Sequence, residues 1–573
     1  MKRVLKYLKK YIFRMGCGLT IKIIGTLFDL IIPYILSYII DDIVPLKNNM
    51  LVLKYGVIML LSAICCFFFN VIANQMAAKV AMKVTKDIRK DLFNKILSLS
   101  SRQCDEVSIP SLVSRMTTDT YNIHHMVGMM QRIGVRAPIL MIGGICITLT
   151  INRPMTLVLL ALLPILGALS ILMSKLGVPI YAKLQLAIDD LVRSIRENIS
   201  GIRVIKALSK ENEEKEKYDK VNKKVIDLEL KSGFLMARIS PIMNVLLNVG
   251  LVGVIIIGAY QVDKGNLLPG KVLAFTTYFS FILNAMLTIT RIFVILTRSA
   301  ASAARIDYVM SLKDDLEVED IPVDENINSH IYFENVDFSY NKKELNIENI
   351  SFSLNRGESI GIIGPTGSGK STLINLLMRF YDVDNGRILI NGRNIKSINP
   401  KELKKMFGVV FQNDMLFSNT IRENIDFGRN LTDEQIDNAA KYAQAKSFIE
   451  KQPNGYETVL AAKGTNLSGG QRQRVLIARA LAGNPEILIL DDSSSALDYK
   501  TDAALRKEIR DNFKDITQII VTQRVSTAMH CDYVLMIDEG KELAFGTHEE
   551  LLKNNEDYQN LNKIQMGGGL DEQ

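Results

Sequence analysis

Within the first 300 residues, apolar stretches of bilayer-spanning length recur at about 17–40, 55–76, 133–152, 155–175, 241–261 and 271–296. Hydrocarbon offers no partner for an exposed N–H or C=O, so such stretches fold as helices. Six spans leave both ends of the membrane region on the same side. The opening MKRVLKYLKKYIFRMG is basic and stays in the cytoplasm by the positive-inside rule. It has the n-region of a signal peptide, but the apolar run after it is interrupted by Lys22 and Asp29 and has no small-residue cleavage site. It therefore reads as a retained first span. PLKNNM, INRP and DKGNLLPG are short and poor in cations, as outside loops are, whereas the connections 77–132 and 176–240 are long and rich in Lys and Arg.

Those inside connections read as helices continuing beyond the bilayer. In SKENEEKEKYDKVNKK, Glu211 and Lys215, Glu213 and Lys217, and Glu216 and Lys220 are four apart with the acid first, the order that supports an exposed helix. The segments 108–120 and 197–211 fall at the turns, where they can touch another domain. After residue 310 the apolar runs shrink to strand length and charge becomes denser, so 48% hydrophobic and 23% charged residues are divided between two solvents. The net charge of +8 comes from cations beside apolar spans, which favours membrane topology over a nucleic-acid partner. The six cysteines show no metal-ligand spacing and read as packing thiols. The stretch 311–330 is acidic, holds Pro322 and reads as a linker.

From residue 331 the pattern is that of a soluble α/β domain. IYFENVDFSY alternates like a half-buried strand, and ENISFSLNRGESIGIIGPTGSGKSTLINLLMRF reads as strand, glycine loop and helix. Gly364, Pro365, Thr366, Gly367, Ser368, Gly369, Lys370 and Ser371, followed by Thr372, fit the Walker A pattern. Its backbone N–H groups cradle phosphate at a helix N-terminus, its lysine reaches the β- and γ-phosphates, and its hydroxyl ligates Mg²⁺. ILILDDSSSALD (487–498) runs four apolar β-formers into Asp491 and Asp492, the layout of a buried strand bringing acid groups to a phosphate-bound metal.

NLSGGQRQRVLIARAL (466–481), just upstream of that strand, resembles the signature of ATP-binding cassette (ABC) proteins. With it the whole chain resembles an ABC exporter half-transporter, a multidomain membrane protein. The expected fold is an all-α six-helix transmembrane domain (1–310) with long cytoplasmic extensions, the linker, an α/β P-loop nucleotide-binding domain (331–565) and a short tail (566–573). The resemblance implies ATP and Mg²⁺ as cofactors. It implies that Tyr340 stacks on adenine, that Gln412 contacts Mg²⁺ and senses the membrane domain, and that Asp491 lies on the metal side. It further implies that SALD (495–498) is the D-loop and that Ser468, Gly469, Gly470 and Gln471 complete a site across a dimer interface.

The chain departs from the family pattern in three places. Asp492 stands where the family has a catalytic glutamate, Gln523 stands where it has the switch histidine, and Ala461 and Ala462 replace a glycine and a glutamate before the signature. This combination resembles the degenerate-site subunit of a bacterial heterodimeric multidrug-type ABC exporter. Such a chain binds ATP at its own Walker site, hydrolyses it poorly, and lends its signature to the competent site of a second half-transporter. The expected cargo is an amphipathic small molecule, lipid or peptide, and the expected location is the cell membrane, with both termini and the nucleotide-binding domain cytoplasmic. An ATP-gated channel, a regulatory subunit and a homodimer of two slow sites remain alternatives. The cavity candidates are Lys22, which otherwise snorkels to the cytoplasmic interface, and the deeper Asp29, which otherwise hydrogen-bonds a neighbouring helix. Asn244, Asn248 and Asn284 either line the same space or join helices.

Overall fold

The computed structural model describes residues 1–313, 315–493 and 497–566. Two compact units divide the chain, one made of Met1–Ser98 and Ser108–Leu312, the other of Leu99–Val107 and everything from Lys313 onward.

The first unit is helical: Ile12–Tyr38, Asn49–Ser98, Thr120–Ile151, Arg153–Ser200, Glu211–Asp263 and Pro269–Ser311 are its long helices. The 50 residues of Asn49–Ser98 extend far past the roughly 20 that cross a bilayer. Among the described residues, five stretches are long and apolar enough to cross a membrane: Ile12–Leu46, Asn49–Ser98, Ile109–Ile151, Pro241–Asp263 and Pro269–Ser311. The sixth expected span, 155–175, falls on the helix Arg153–Ser200, where the described residues include the apolar stretch Arg153–Leu169. Asn152 starts that helix by accepting from the Met155 N–H at 3.1 Å. Small residues let the helices approach closely, for a Cβ on Gly250 would lie 2.2 Å from Leu162 Cδ1. The buried Tyr278 hydroxyl donates to the Leu30 carbonyl at 2.6 Å, joining the last helix to the first.

Three polar features of this unit differ from expectation. In the charged run the contacts that form are three apart, Lys210 with Glu213 and Lys217 with Glu214, rather than the four-apart pairs. Lys22 is not snorkelling: it is only 4% exposed, and its Nζ donates to Asn70 Oδ1 at 2.7 Å and Asn74 Oδ1 at 3.1 Å. The amides of Asn248 and Asn284 donate back to the Asn244 and Ser280 carbonyls of their own helices, so neither ties two helices together.

In the second unit, ten strands form one sheet in the order β5-β4-β1-β2-β10-β9-β3-β8-β7-β6. They are β1 Ile331–Phe338, β2 Ile347–Leu354, β3 Ser359–Ile363, β4 Asn385–Ile390, β5 Arg393–Asn394, β6 Phe407–Val410, β7 Ile487–Asp491, β8 Thr517–Val521, β9 Tyr533–Asp538 and β10 Lys541–Gly546. The run β9-β3-β8-β7-β6 is parallel, and β1, β2, β4 and β5 pair antiparallel. β7 is buried at every residue, as a central parallel strand must be, while β1 alternates.

The acidic linker is no free tether. The Glu319 and Asp324 N–H groups donate to the Lys396 and Gly392 carbonyls, and Arg387 pairs with Asp324 at 3.1 Å. Leu99–Val107 belongs to this unit as well, so the piece of the first inside connection that joins it lies just before the expected 108–120, which stays with the helical unit.

Candidate functional site

Three parallel strands end at one cleft: β3 runs into the Walker loop, β7 into Asp491 and β8 into Gln523. Ligands of open α/β sheets bind at this carboxyl edge. The cleft is lined by Thr366, Gly367, Gly369, Lys370, Ser371, Thr372, Gln412, Asp491, Asp492 and Gln523, with Asn346 and Thr522.

The glycines are demanded by space. At Gly364 a Cβ would lie 2.0 Å from the Ile537 carbonyl, and Gly369, at φ +104, leads into the helix Lys370–Leu377 where a Cβ would meet Ile347 at 2.7 Å. Lys370 is folded over the loop, donating to the Gly364 carbonyl at 2.9 Å and the Pro365 carbonyl at 2.6 Å. Burial lowers its ammonium below the ordinary lysine value, and Asp491 and Asp492 oppose that shift. The Ser368 N–H donates to the Pro365 carbonyl, which closes the loop.

Ser371 Oγ donates to Asp491 Oδ2 at 3.0 Å. Burial pushes the Asp491 carboxyl up, the Ser371 bond opposes this, and neighbouring Asp492 adds to it. A hydroxyl and a buried carboxylate held together at a phosphate cradle, with Gln412 beside them, are hard oxygen donors of the kind Mg²⁺ takes. The residues fit that ion and the triphosphate of ATP.

Asp492 adopts φ +50 and donates its N–H to the Val521 carbonyl at 2.9 Å. Gln523 Nε2 lies 3.4 Å from Thr366 Oγ1, close enough for the amide to donate to the Walker loop. Tyr340 is 46% exposed, packs edge-on against Phe338 and Tyr381, and points its hydroxyl at Thr372 Oγ1, 3.4 Å away.

The signature residues are absent from this cleft. Ser468 caps the helix Gly469–Leu481 through a capping box with Gln471, and Ser468 and Gly469 are exposed. Their helix N-terminus is exposed. Residues 495 and 496 of the expected D-loop lie outside the described residues. Asp498 caps the helix Tyr499–Asn512, accepting from the Thr501 N–H at 2.9 Å. Ala461 and Ala462 are exposed just ahead of the signature.

Other residues that hold the site carry no sequence signal. Gln565, in the last helix Glu556–Met566, grips the backbone around Gln523. Arg479 of the signature helix pairs at 2.6 Å with Asp414, two residues past Gln412. Both contacts join residues tens of positions apart, and no local spacing marks them.

A phosphate cradle, a metal-side carboxylate and an exposed signature in one domain, carried on a chain with long apolar helices, define an ATP-binding cassette transporter. The ABC transporter transmembrane region family matches residues 15–286 and the ABC transporter family matches 347–495. The chain is 34% identical over 99% of both lengths to the Bacillus subtilis (strain 168) protein YfiB, described as an uncharacterized ABC transporter ATP-binding protein. It is 32% identical over 99% of both lengths to YgaD of the same organism, whose name provisionally describes a multidrug export ATP-binding/permease protein. A solved bacterial Atm1-family ABC exporter with ATP bound superimposes with a TM-score of 0.83, at 23% identity, covering 97% of this chain and 98% of that one. The chain belongs to the ABC transporter family, as a half-transporter in which a transmembrane domain is fused to one nucleotide-binding domain. It is a multi-pass membrane protein with the exporter fold and an ABC-type ATPase that couples ATP hydrolysis to transport.

Proposed function

We propose that this chain is the degenerate-site subunit of a heterodimeric exporter in the plasma membrane, moving amphipathic small molecules, lipids or peptides outward by alternating access. In this reading Arg153–Ser200 supplies a sixth span, which places both termini and the nucleotide-binding domain in the cytoplasm. ATP and Mg²⁺ bind at the Walker cleft, Ser371 and Asp491 holding the ion. The observation that carries the reading is that Asp492 and Gln523 line a cleft whose phosphate cradle and metal-side carboxylate are otherwise complete. Aspartate is one methylene shorter than glutamate, and setting a general base back by about 1 Å can cost around a hundredfold in rate. Glutamine can donate to a γ-phosphate but cannot carry imidazolium charge. Ser468, exposed and outside the cleft, completes the partner's site.

The test is a crossed pattern. Asp492→Asn should change steady-state hydrolysis of the assembled heterodimer by no more than about twofold, whereas removing the matching glutamate from the partner should lower it at least about a hundredfold, the scale of a lost general base. Ser468→Ala in this chain should be as severe as the partner's lesion. Equal silencing by Asp492→Asn and by the partner's variant would defeat the reading.

A further inference from the structure

We propose that Lys22, Arg132 and Arg136, grouped around Asp29, form a binding site for the anionic headgroup of an amphipathic cargo, a carboxylate or phosphate on an apolar body. The proposal rests on the export reading and names its substrate class.

The charges do not balance. Asp29 is the only acidic residue in the helix Ile12–Tyr38, and neither 49–86 of the second helix nor Thr120–Ile151 contains one. Lys22 gives its hydrogen bonds to two neutral amides, Asn70 and Asn74. Arg132 Nε donates to the Gly128 carbonyl of its own helix at 3.1 Å. Arg132 and Arg136 are four apart on one face of the helix Thr120–Ile151, and Arg136 is the cation that pairs with Asp29. Positive-inside topology accounts for Arg132, at the cytoplasmic boundary of the expected span 133–152, while Arg136 and Lys22 lie about one turn inside their spans.

The geometry leaves one side of Arg136 open. Its Nη2 forms a close ion pair with Asp29 Oδ2 at 3.0 Å, and Asp29 Oδ1 takes the Cys66 thiol at 2.8 Å. Asp29 therefore holds one corner of the guanidinium and leaves its other N–H groups available. The Arg136 side chain is 46% exposed on this chain. The group lies within membrane-spanning helices, where an ionisable side chain is a functional-site candidate by default. A guanidinium fork presents paired donors to a carboxylate or phosphate, and buried Lys22 adds an uncompensated charge behind it. An anion arriving there neutralises what the protein leaves unpaired, and its apolar body remains among the helices.

The test uses the assembled transporter in phosphatidylcholine nanodiscs with three probes: a dansyl-labelled long-chain carboxylate, its methyl ester and the matching amine. The carboxylate should bind at least about tenfold more tightly than the ester. Arg136→Gln and Lys22→Met should each erase that preference, Arg136→Lys should retain most of it, and Asp29→Asn should strengthen carboxylate binding by removing the competing anion. Displacement of the probe by phosphatidylglycerol in the disc would identify a lipid headgroup as the natural anion, and failure to displace it a soluble amphiphile. Equal binding of carboxylate and ester, or a preference that survives Arg136→Gln, would overturn the site. ATP-driven movement of the ester or amine without any preference for the anion leaves export standing and removes only this inference. Anion preference without ATP-driven movement of any probe does the reverse.

Discussion

The side-chain amide of Gln565 bridges the backbone at Gln523: its Nε2 donates to the Gln523 carbonyl at 2.8 Å, and its Oε1 accepts from the Val525 N–H at 2.7 Å. The last helix thus braces the loop that carries the switch position. Two such bonds contribute about 1 kcal/mol each. On the proposed reading, in which this site holds nucleotide, loosening the loop should show first in retention. Gln565→Ala is expected to speed release of labelled ATP from this chain's site several-fold, while steady-state hydrolysis by the assembled pair changes by less than about twofold. Filter-retained nucleotide followed over time checks it, and unchanged retention would show that the bridge does not brace the loop.

Arg479 and Asp414 are the second brace. Their side chains are only 11% and 13% exposed, and Arg479 also donates to the Met415 carbonyl at 3.0 Å. Removing one member of a buried pair leaves the other charge unpaired, at a cost of about 3–5 kcal/mol. Arg479→Ala should therefore lower the melting temperature of the nucleotide-binding domain in the full chain by on the order of 10 °C. The double variant Arg479→Met with Asp414→Asn should recover much of that loss, because no unpaired charge remains. Equal loss in the single and double variants would mean that packing, not charge, holds this contact.

At the opposite edge of the sheet, His330 is buried with Nδ1 2.6 Å from Thr517 Oγ1. Burial holds the imidazole below its ordinary value, Arg356 adds to the shift and Glu486 opposes it. A group whose folded pKa is depressed takes up its proton more readily in the unfolded chain. Stability is therefore unaffected above the unfolded value, about 6.5, and falls as the pH drops below it. Thermal unfolding at pH 7.5 and pH 5.5 should show a larger acid loss in the native sequence than in His330→Gln. An equal loss would remove His330 from the acid sensitivity.

The division into a membrane domain and a cassette was legible because both rest on local pattern. Spans announce themselves by length and hydropathy, and the Walker loop and signature by spacing along a few residues. Which groups Lys22 bonds was not legible, because its partners, Asn70 and Asn74, sit on another helix where no period marks them. The charged run formed contacts three apart because rotamers, not sequence order alone, decide which of two helical neighbours a long side chain meets. Gln565 and Arg479 carry no motif, and their work depends on residues far away in sequence. The segment 99–107 was passed over for the same reason, since SRQCDEV has no apolar period and only the three-dimensional grouping places it with the cassette.

That segment supports the last prediction. The helix Ser101–Val107 follows directly on the long helix Asn49–Ser98, and its Asp105 Oδ2 accepts a 2.5 Å hydrogen bond from the Tyr381 hydroxyl. Tyr381 packs edge-on against Tyr340 with ring centres 5.1 Å apart. Burial and the Asp105 bond both raise the Tyr381 hydroxyl's pKa, so it remains a donor throughout the physiological range. The helix Ser101–Val107 is thus one side chain away from Tyr340, the residue expected to stack on adenine. Tyr381→Phe keeps the ring contact and removes only the bond. Basal ATPase of the assembled transporter should stay within about twofold, because Tyr381 and Asp105 lie outside the Walker cleft. Stimulation of that ATPase by transported compound should fall substantially, with Asp105→Ala giving the same loss and the double variant no further one. Full stimulation in Tyr381→Phe would show that the signal between membrane helices and nucleotide does not pass through this contact.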